Sequence, residues 1–335
     1  MKVNKRIIQI AIAAILLVVL FNFIKHSIEL DDFTPKKVTL KSRVFKNLAY
    51  KKITEFDSLM LDIYLPETIP QTKIPAVIFI HGGGWTDGSK DAIQTNYRQY
   101  VLKELLENGY AVFSIDYQLV NQSVHFPLPI VDCKDAVRWI RKNADYYHID
   151  TTNVGIWGAS AGGHLALLTA YSDDNDFIGN ADLQPYSSKV NYVVDNFGPV
   201  DLNLLLKPET SNLSLKIFKV YSKEKYLKRQ EKLIAITGVR DDKSKIAAIC
   251  KQFSPINYIS SESVPTLILH GNADETVPLA QSELLSKILK QNSVEHQLII
   301  YENATHGFKN INQQAIDEVV KTTISFMNSR KSTVD

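Results

Sequence analysis

Cysteine is scarce in this chain of 335 residues, which contains only Cys133 and Cys250. The two lie far apart and in no spacing typical of metal ligands, so the cysteines indicate no metal site. Both fall in predicted helices, and we expect two buried free thiols, although an exported protein could join them in a disulfide. The sequence also lacks internal repeats, low-complexity tracts and a linker between domains. We therefore expect one large α/β domain.

An excess of one charge is also missing, because 38 Lys and Arg residues face 36 Asp and Glu residues. A formal net charge of +2 argues against a strongly electrostatic partner such as nucleic acid. The fractions of hydrophobic residues, 45%, and of charged residues, 22%, are those of an ordinary globular protein.

The amino-terminal segment has a different character, with three basic residues before an apolar run at 7–24 whose polar members are Gln9 and Asn22. Eighteen helical residues span about 27 Å, close to the thickness of the hydrocarbon core of a bilayer. Residues 1–24 are thus predicted to be a signal anchor or a signal peptide. The run ends in bulky residues at 21–25 and no small-residue cleavage site follows it, which favours an anchor with an extracytoplasmic domain. If the segment is cleaved, the protein is secreted.

A polar, charged stretch at 25–43 is predicted to be a stalk, and strands alternate with helices over 44–335. The alternation predicts an α/β fold, with a mostly parallel central sheet covered by helices on both faces and an antiparallel pair at its start. A lysine-rich helical insertion at 203–252 is longer than an ordinary connection between strands. It is predicted either to cover the functional site as a cap or to be a solvent-exposed helical addition to the fold. Strands are expected at 43–50, 59–64, 75–80, 110–117, 154–157, 192–197, 265–270 and 297–301, and further helices at 97–108, 129–143, 160–171, 279–291 and 316–327.

One motif, Gly158-Ala159-Ser160-Ala161-Gly162, stands between an apolar strand and a helix-forming run. This is the strand–turn–helix setting of a G-x-S-x-G nucleophile elbow. Glycine is needed at 158 and 162 because so tight a turn leaves no room for β-carbons there. Ser160 is therefore a candidate nucleophile in a strained conformation, although the five-residue match is weak by itself.

A glycine loop, His81-Gly82-Gly83-Gly84-Trp85, follows the continuous apolar run at 75–80. Acyl transfer needs donors for a developing oxyanion, and glycines let backbone N–H groups turn toward one point. Gly83, Gly84 and Ala161 are the candidate donors of this oxyanion hole. His81 is expected to brace the loop.

The acid and the base of a triad also have candidates just after predicted strands. Asp274 is preferred as the acid because it is shorter and nearer its strand than the adjacent Glu275. His306 lies in the loop after the last strand and is the candidate base. The chain order Ser160, Asp274, His306 is that of the α/β hydrolases. His164 is near the nucleophile but is expected to be structural.

These residues resemble the α/β-hydrolase superfamily over about 44–330, in the carboxylesterase branch related to hormone-sensitive lipase and, more closely, the BD-FAE-type esterases. The resemblance implies a serine hydrolase without metal or cofactor that cleaves short-chain or aromatic carboxylic esters through an acyl-enzyme, with Trp85 and Tyr117 at the substrate. The family more often has Arg where this chain has Gln118, so a charge pair there is expected to be absent. The resembling motifs are residues 81–85, 116–119, 156–166, 197–201, 270–274 and 306–308.

Two other functions are compatible with the same pattern. A serine peptidase or amidase would use the same triad, since unrelated chemistries share this fold. A non-catalytic binding module is disfavoured, because such proteins generally lose a member of the triad and this chain has all three. The sequence indicates neither the natural ester nor the oligomeric state.

Overall fold

The computed structural model describes residues 33–331. The predicted anchor at 1–24 therefore lies outside the described residues. Among the helices within 33–331, none is long and apolar enough to cross a bilayer.

Of the predicted stalk at 25–43, residues 33–41 form no helix or strand and lie along the domain, whereas residues 42 and 43 belong to the first strand. The Phe33 N–H donates to the Ile311 carbonyl over 2.9 Å, and the Phe33 ring meets Tyr100 edge-on at 5.7 Å between centroids. This segment is thus packed against the domain from its first described residue.

Eight strands form one sheet in the order β1-β2-β4-β3-β5-β6-β7-β8. The pairs β1–β2 and β2–β4 are antiparallel and all other pairs are parallel, which confirms the expected architecture. The strands are β1 Ser42–Lys52, β2 Ser58–Pro66, β3 Ile74–Ile80, β4 Ala111–Ile115, β5 Ile149–Ala159, β6 Tyr192–Asn196, β7 Thr266–Gly271 and β8 His296–Tyr301.

Helices cover both faces of the sheet. The side chains of β3 alternate between two hydrophobic clusters: Ile78 and Ile80 pack on one face, and Val77 and Phe79 on the other. The helices are α1 Arg98–Glu107, α2 Leu128–Lys142, α3 Ala144–Tyr147, α4 Ala161–Tyr171, α5 Leu202–Leu206, α6 Asn212–Tyr221, α7 Lys223–Thr237, α8 Lys243–Gln252, α9 Ala280–Gln291 and α10 Gln313–Asn328, with 3₁₀ turns at Lys90–Gln94, Ala181–Leu183 and Pro255–Tyr258. Helices α1 and α10 contribute to one cluster, and α2, α4 and α9 to the other.

The insertion consists of helices α5 to α8 between β6 and β7. Helix α7 holds it to the domain through the buried Leu233 and Ile236, and the Ile236 carbonyl accepts the Phe126 N–H over 3.1 Å. Helix α6 has no buried side chain. The insertion is therefore anchored by α7 and exposed along α6.

Gln118, in the loop after β4, lies in a polar cluster whose positive charge comes from strand β1. Its side-chain amide donates to the Asp132 carboxylate, and Lys51 of β1 lies 2.7 Å from Asp132 and 2.8 Å from Asp135. Burial raises the pKa of Asp132, and Lys51 opposes that rise. Asp132 thus has a positively charged partner, Lys51, although residue 118 is uncharged. Nearby in α2, Cys133 is a buried free thiol, as is Cys250 in α8.

Candidate active site

Ser160 occupies the sharp turn between β5 and α4 with φ 57° and ψ −124°, a conformation that non-glycine residues rarely adopt. A Cβ on Gly158 would lie 2.1 Å from the Gly162 carbonyl oxygen, and one on Gly162 would lie 2.1 Å from the Ile80 carbonyl oxygen. Neither position has room for a side chain. The two glycines therefore permit the turn that projects the Ser160 hydroxyl.

The structure brings the three candidate triad residues together although the chain separates Ser160 from His306 by 146 positions. Their strands, β5, β7 and β8, run parallel, so the loops after them meet at one edge of the sheet. The Ser160 hydroxyl lies 2.9 Å from His306 Nε2, and His306 Nδ1 lies 2.7 Å from Asp274 Oδ2. With Nδ1–H donating to the carboxylate, Nε2 is free to accept the serine proton.

The Asp274 carboxylate is held on both oxygens. Oδ1 accepts the N–H groups of Thr276 and Val277 over 2.8 and 2.9 Å, while Oδ2 accepts the His306 ring N–H. Burial alone would raise the pKa of this carboxyl, but hydrogen bonds from His270, His306 and Val277 hold it well below its usual range. Asp274 is thus ionised at neutral pH. Glu275, the alternative acid, is exposed.

Two further histidines near the site have structural contacts. His164 donates to the Phe253 carbonyl from Nε2 over 2.7 Å and accepts the Trp85 indole N–H at Nδ1 over 3.3 Å. Burial lowers the pKa of His164 to about 4, and that of His81 also to about 4, so both rings are neutral. The expected structural role of His164 agrees with these contacts.

The glycine loop runs beside the elbow. Gly83 has φ 118° and Gly84 has φ 61°, and a Cβ on Gly83 would lie 1.9 Å from the Asp87 carbonyl oxygen, so a side chain is excluded at Gly83. Within residues 33–331, no acceptor is hydrogen-bonded to the N–H groups of Gly83, Gly84 or Ala161. The three candidate donors are therefore available to a bound oxygen.

Ser160, His306 and the glycine loop line one cleft of about 420 Å³, here called the active-site cleft. Trp85 also lines it, although only 1% of that residue is exposed. Tyr117, expected at the substrate, lies instead behind the loop: it stacks on His81 at 4.3 Å between centroids, and its hydroxyl donates to the His81 carbonyl over 3.1 Å. Because it is buried and does not line the cleft, Tyr117 supports the glycine loop.

Several residues of the cleft wall have no motif in the sequence. Leu205 and Lys232 come from the insertion, and Arg98 and Lys309 come from α1 and from the loop after β8. Neither helical periodicity nor local spacing distinguishes them from neighbouring lysines or leucines, so sequence reasoning missed them. Among residues 33–331, no group of three or more His, Cys, Asp or Glu side chains is arranged to hold a metal ion.

A mostly parallel sheet of eight strands, with a Ser–His–Asp arrangement at the carboxyl ends of its strands, defines the α/β-hydrolase class. Within that class, the BD-FAE family model matches residues 61–289. The chain belongs to the BD-FAE family.

Among curated relatives, the chain is 28% identical to "Esterase LipC" of Mycobacterium tuberculosis over 253 residues, which are 74% of this chain and 57% of that protein. It is 30% identical to "Esterase LipQ" of the same organism over 69% of this chain and 49% of that protein. The chain thus spans about half the length of these relatives. Among solved structures, it is similar to a "truncated form of carbohydrate esterase from gut microbiota", with a TM-score of 0.69 and 25% identity over 89% of this chain and 99% of that one.

Proposed function

We propose that this protein is a serine carboxylesterase that hydrolyses short-chain or aromatic carboxylic esters through an acyl-enzyme. The observation that carries the proposal is the hydrogen-bonded chain from Ser160 through His306 to Asp274, with distances of 2.9 and 2.7 Å, in an open cleft beside unpaired glycine N–H groups. The similarity to two esterases supports it.

In the first half of the reaction, Ser160 Oγ attacks the ester carbonyl carbon while His306 Nε2 takes its proton. The carbonyl π electrons move to the oxygen, which the N–H groups of Gly83, Gly84 and Ala161 stabilise. The oxyanion then collapses and the bond to the alkoxy oxygen breaks. The leaving alcohol takes the proton from His306, and Ser160 is left acylated.

Water then hydrolyses the acyl-enzyme by the same steps, with water as the nucleophile and Ser160 as the leaving group. His306 removes a proton from water, the hydroxide oxygen attacks the acyl carbon, and Ser160 Oγ leaves with the proton that His306 returns. Asp274 keeps the imidazole oriented and stabilises its protonated form in both halves.

Acylated sugars are the first natural substrates to test. A cleft of about 420 Å³ is large enough to hold a short acyl group together with part of a sugar or aromatic ring. The similarity to a carbohydrate esterase supports this choice. We further propose that the insertion caps the site, because Leu205 and Lys232 belong both to it and to the cleft wall.

An ester and an amide of matched shape separate esterase from amidase activity. We expect the purified protein to hydrolyse phenyl acetate at least about 1000-fold faster than acetanilide, its amide counterpart, measured as kcat/KM, a difference of about 4 kcal/mol in the barrier. The reason is that an alkoxy or aryloxy group leaves more readily than an amide nitrogen, which must be protonated before the C–N bond breaks, and an amide carbonyl is less electrophilic than an ester carbonyl. Comparable rates on both would favour the amidase function, and hydrolysis of neither would contradict the proposal.

We also propose that the predicted segment at 1–24 anchors the protein with its catalytic domain outside the membrane. Support comes from the basic flank and apolar run of the sequence, and from helix α6, whose exposed Leu213, Ile217 and Val220 lie on one face near several lysines. An exposed apolar stripe flanked by lysines suits the surface of an anionic bilayer.

Fractionation of cells that express the full chain tests the anchor. The protein is expected in the membrane fraction with residue 1 retained and with its domain accessible to added protease from the outer side. A soluble protein whose amino terminus begins near residue 25 would show a cleaved signal peptide. A soluble protein that retains residues 1–24 would contradict both alternatives.

A further inference from the structure

The wall of the active-site cleft carries positive charge that the proposed reaction does not use. Arg98, Lys232 and Lys309 line the cleft, and no Asp or Glu is among its described lining residues. The whole chain, by contrast, is almost neutral, with a formal net charge of +2. A cleft lined by one sign of charge concentrates ligands of the opposite sign.

Lys232 of helix α7 lies against the glycine loop. Its Nζ stands 5.0 Å from the centroid of the Trp85 ring and 3.1 Å from the position that a Cβ would take on Gly84. The ammonium group therefore lies over the glycine loop that carries the candidate oxyanion donors Gly83 and Gly84, within reach of a group attached to an ester bound there.

Among the described residues, Lys232 has no counter-ion. In the part of the chain that the structure describes, no carboxylate lies within 4.0 Å of its Nζ and no hydrogen bond is made by it. Lys228, one helical turn earlier, is exposed and pairs with Glu224 at 2.7 Å. Of these two lysines on the same helix, the one without a carboxylate partner is the one that faces the cleft.

Because Lys232 is partly buried, its positive charge is less stable without a charged partner than it would be in water. Burial lowers the pKa of its ammonium group, and no acidic neighbour opposes the effect. A partly buried cation is stabilised by a facing aromatic ring, here Trp85, but a charged partner stabilises it more. An anionic group on the substrate would supply that partner when it binds.

Arg98 and Lys309 add to the positive potential from other parts of the wall. Arg98 is held by hydrogen bonds from Nε to the Ala92 carbonyl, over 2.7 Å, and from Nη2 to the Thr95 hydroxyl. It is thus a fixed charge. Lys309 is exposed in the loop after His306. Neither has an acidic partner within the described residues.

We infer that the ester hydrolysed at this site carries a carboxylate, which Lys232 binds beside the glycine loop. The carboxylate belongs either to the acyl group, as in a half-ester of a dicarboxylic acid, or to the alcohol, as in an acylated sugar acid. This inference rests on the proposed esterase function and names its substrate class.

Two matched pairs of substrates test the inference on the purified protein. Para-acetoxybenzoate and para-acetoxybenzamide differ only in a charge on the alcohol side. The para-nitrophenyl half-ester of adipic acid and para-nitrophenyl hexanoate differ in a charge on the acyl side. For each pair, the ratio of kcat/KM for the anionic ester to kcat/KM for the neutral ester is measured, after subtraction of the uncatalysed rate.

The wild-type protein is expected to favour the anionic ester of one pair by about tenfold, and the pair that shows the preference identifies the side that carries the carboxylate. Lys232→Met is expected to bring that ratio to about one, and Lys232→Arg to retain most of it. Added salt should lower the wild-type ratio. Lys228→Met, the matched control on the same helix, should leave the ratio unchanged.

Two results would overturn the inference and leave the esterase proposal standing. One is hydrolysis of the neutral esters with no preference for the anionic ester of either pair. The other is a preference that survives in Lys232→Met. Failure to hydrolyse any of the four esters would overturn the esterase proposal, and the inference with it.

Discussion

Replacing Ser160 by alanine is expected to lower kcat/KM for ester hydrolysis by about 10⁴- to 10⁶-fold, as the loss of the nucleophile does in other serine hydrolases. The substitution removes the oxygen that attacks the ester carbon and leaves His306 and the glycine loop in place. Binding and oxyanion stabilisation alone would account for the residual rate. Initial rates on para-nitrophenyl acetate over a range of enzyme concentrations measure the effect.

A serine elsewhere on the surface provides the control for Ser160→Ala. Ser123 is exposed and does not line the active-site cleft. Ser123→Ala is expected to change kcat/KM by less than about twofold, in line with surface substitutions in general. The thermal unfolding midpoints of both variants should lie within a few degrees of wild type. Retention of a tenth or more of the activity in a folded Ser160→Ala protein would exclude Ser160 as the nucleophile.

Asp274→Asn is expected to lower kcat by about 10³- to 10⁴-fold. The carboxylate accepts two backbone N–H groups at Oδ1 and the His306 N–H at Oδ2, and an amide has only one oxygen to accept with. Its NH₂ group would face a donor, the imidazole would turn or adopt the other tautomer, and the charge that stabilises protonated His306 would be lost. Steady-state kinetics on the same ester measure the effect.

Glu275→Gln is the matched control for Asp274→Asn, because Glu275 is the adjacent acid and is exposed. It should keep kcat within about twofold of wild type. The two variants should also differ in their pH dependence of stability. The pKa of Asp274 is lower in the folded protein than in the unfolded protein, where it is about 4. The Asp274 carboxylate therefore contributes to stability above the unfolded pKa, and this contribution is lost as the pH falls below it toward the folded pKa. A large loss of activity in Glu275→Gln with none in Asp274→Asn would reverse the assignment of the acid.

The parts of the site that could be predicted from sequence are those with a local physical cause. The turn at Ser160 needs glycines at fixed offsets, and Gly83 and Gly84 adopt positive φ values just after a buried strand. Asp274 and His306 could be placed because each follows a strand, and parallel strands deliver the residues that follow them to one edge of the sheet. Local motifs and strand direction together were enough to predict that these residues meet.

The parts that could not be predicted depend on which way a side chain turns and what packs on it. The sequence predicts a strand at 110–117 that ends at Tyr117, but β4 ends at Ile115. The Tyr117 ring turns under the glycine loop, where stacking on His81 and a hydrogen bond hold it. Lys232 is one of many lysines in the insertion, and only the packing of Leu233 and Ile236 on the core decides that its ammonium group lies over Trp85. Such orientations come from long-range packing, which no local pattern encodes.

Covalent modification of Ser160 is the most direct test of the central claim that this residue is an activated nucleophile. The purified protein is treated with an equimolar fluorophosphonate at neutral pH, and the intact mass and the modified peptide are determined. We predict one phosphonyl group per chain, located on the peptide that contains Ser160, and no modification of Ser160→Ala under the same conditions. An unmodified wild-type protein, or equal modification of the two proteins, would contradict the claim.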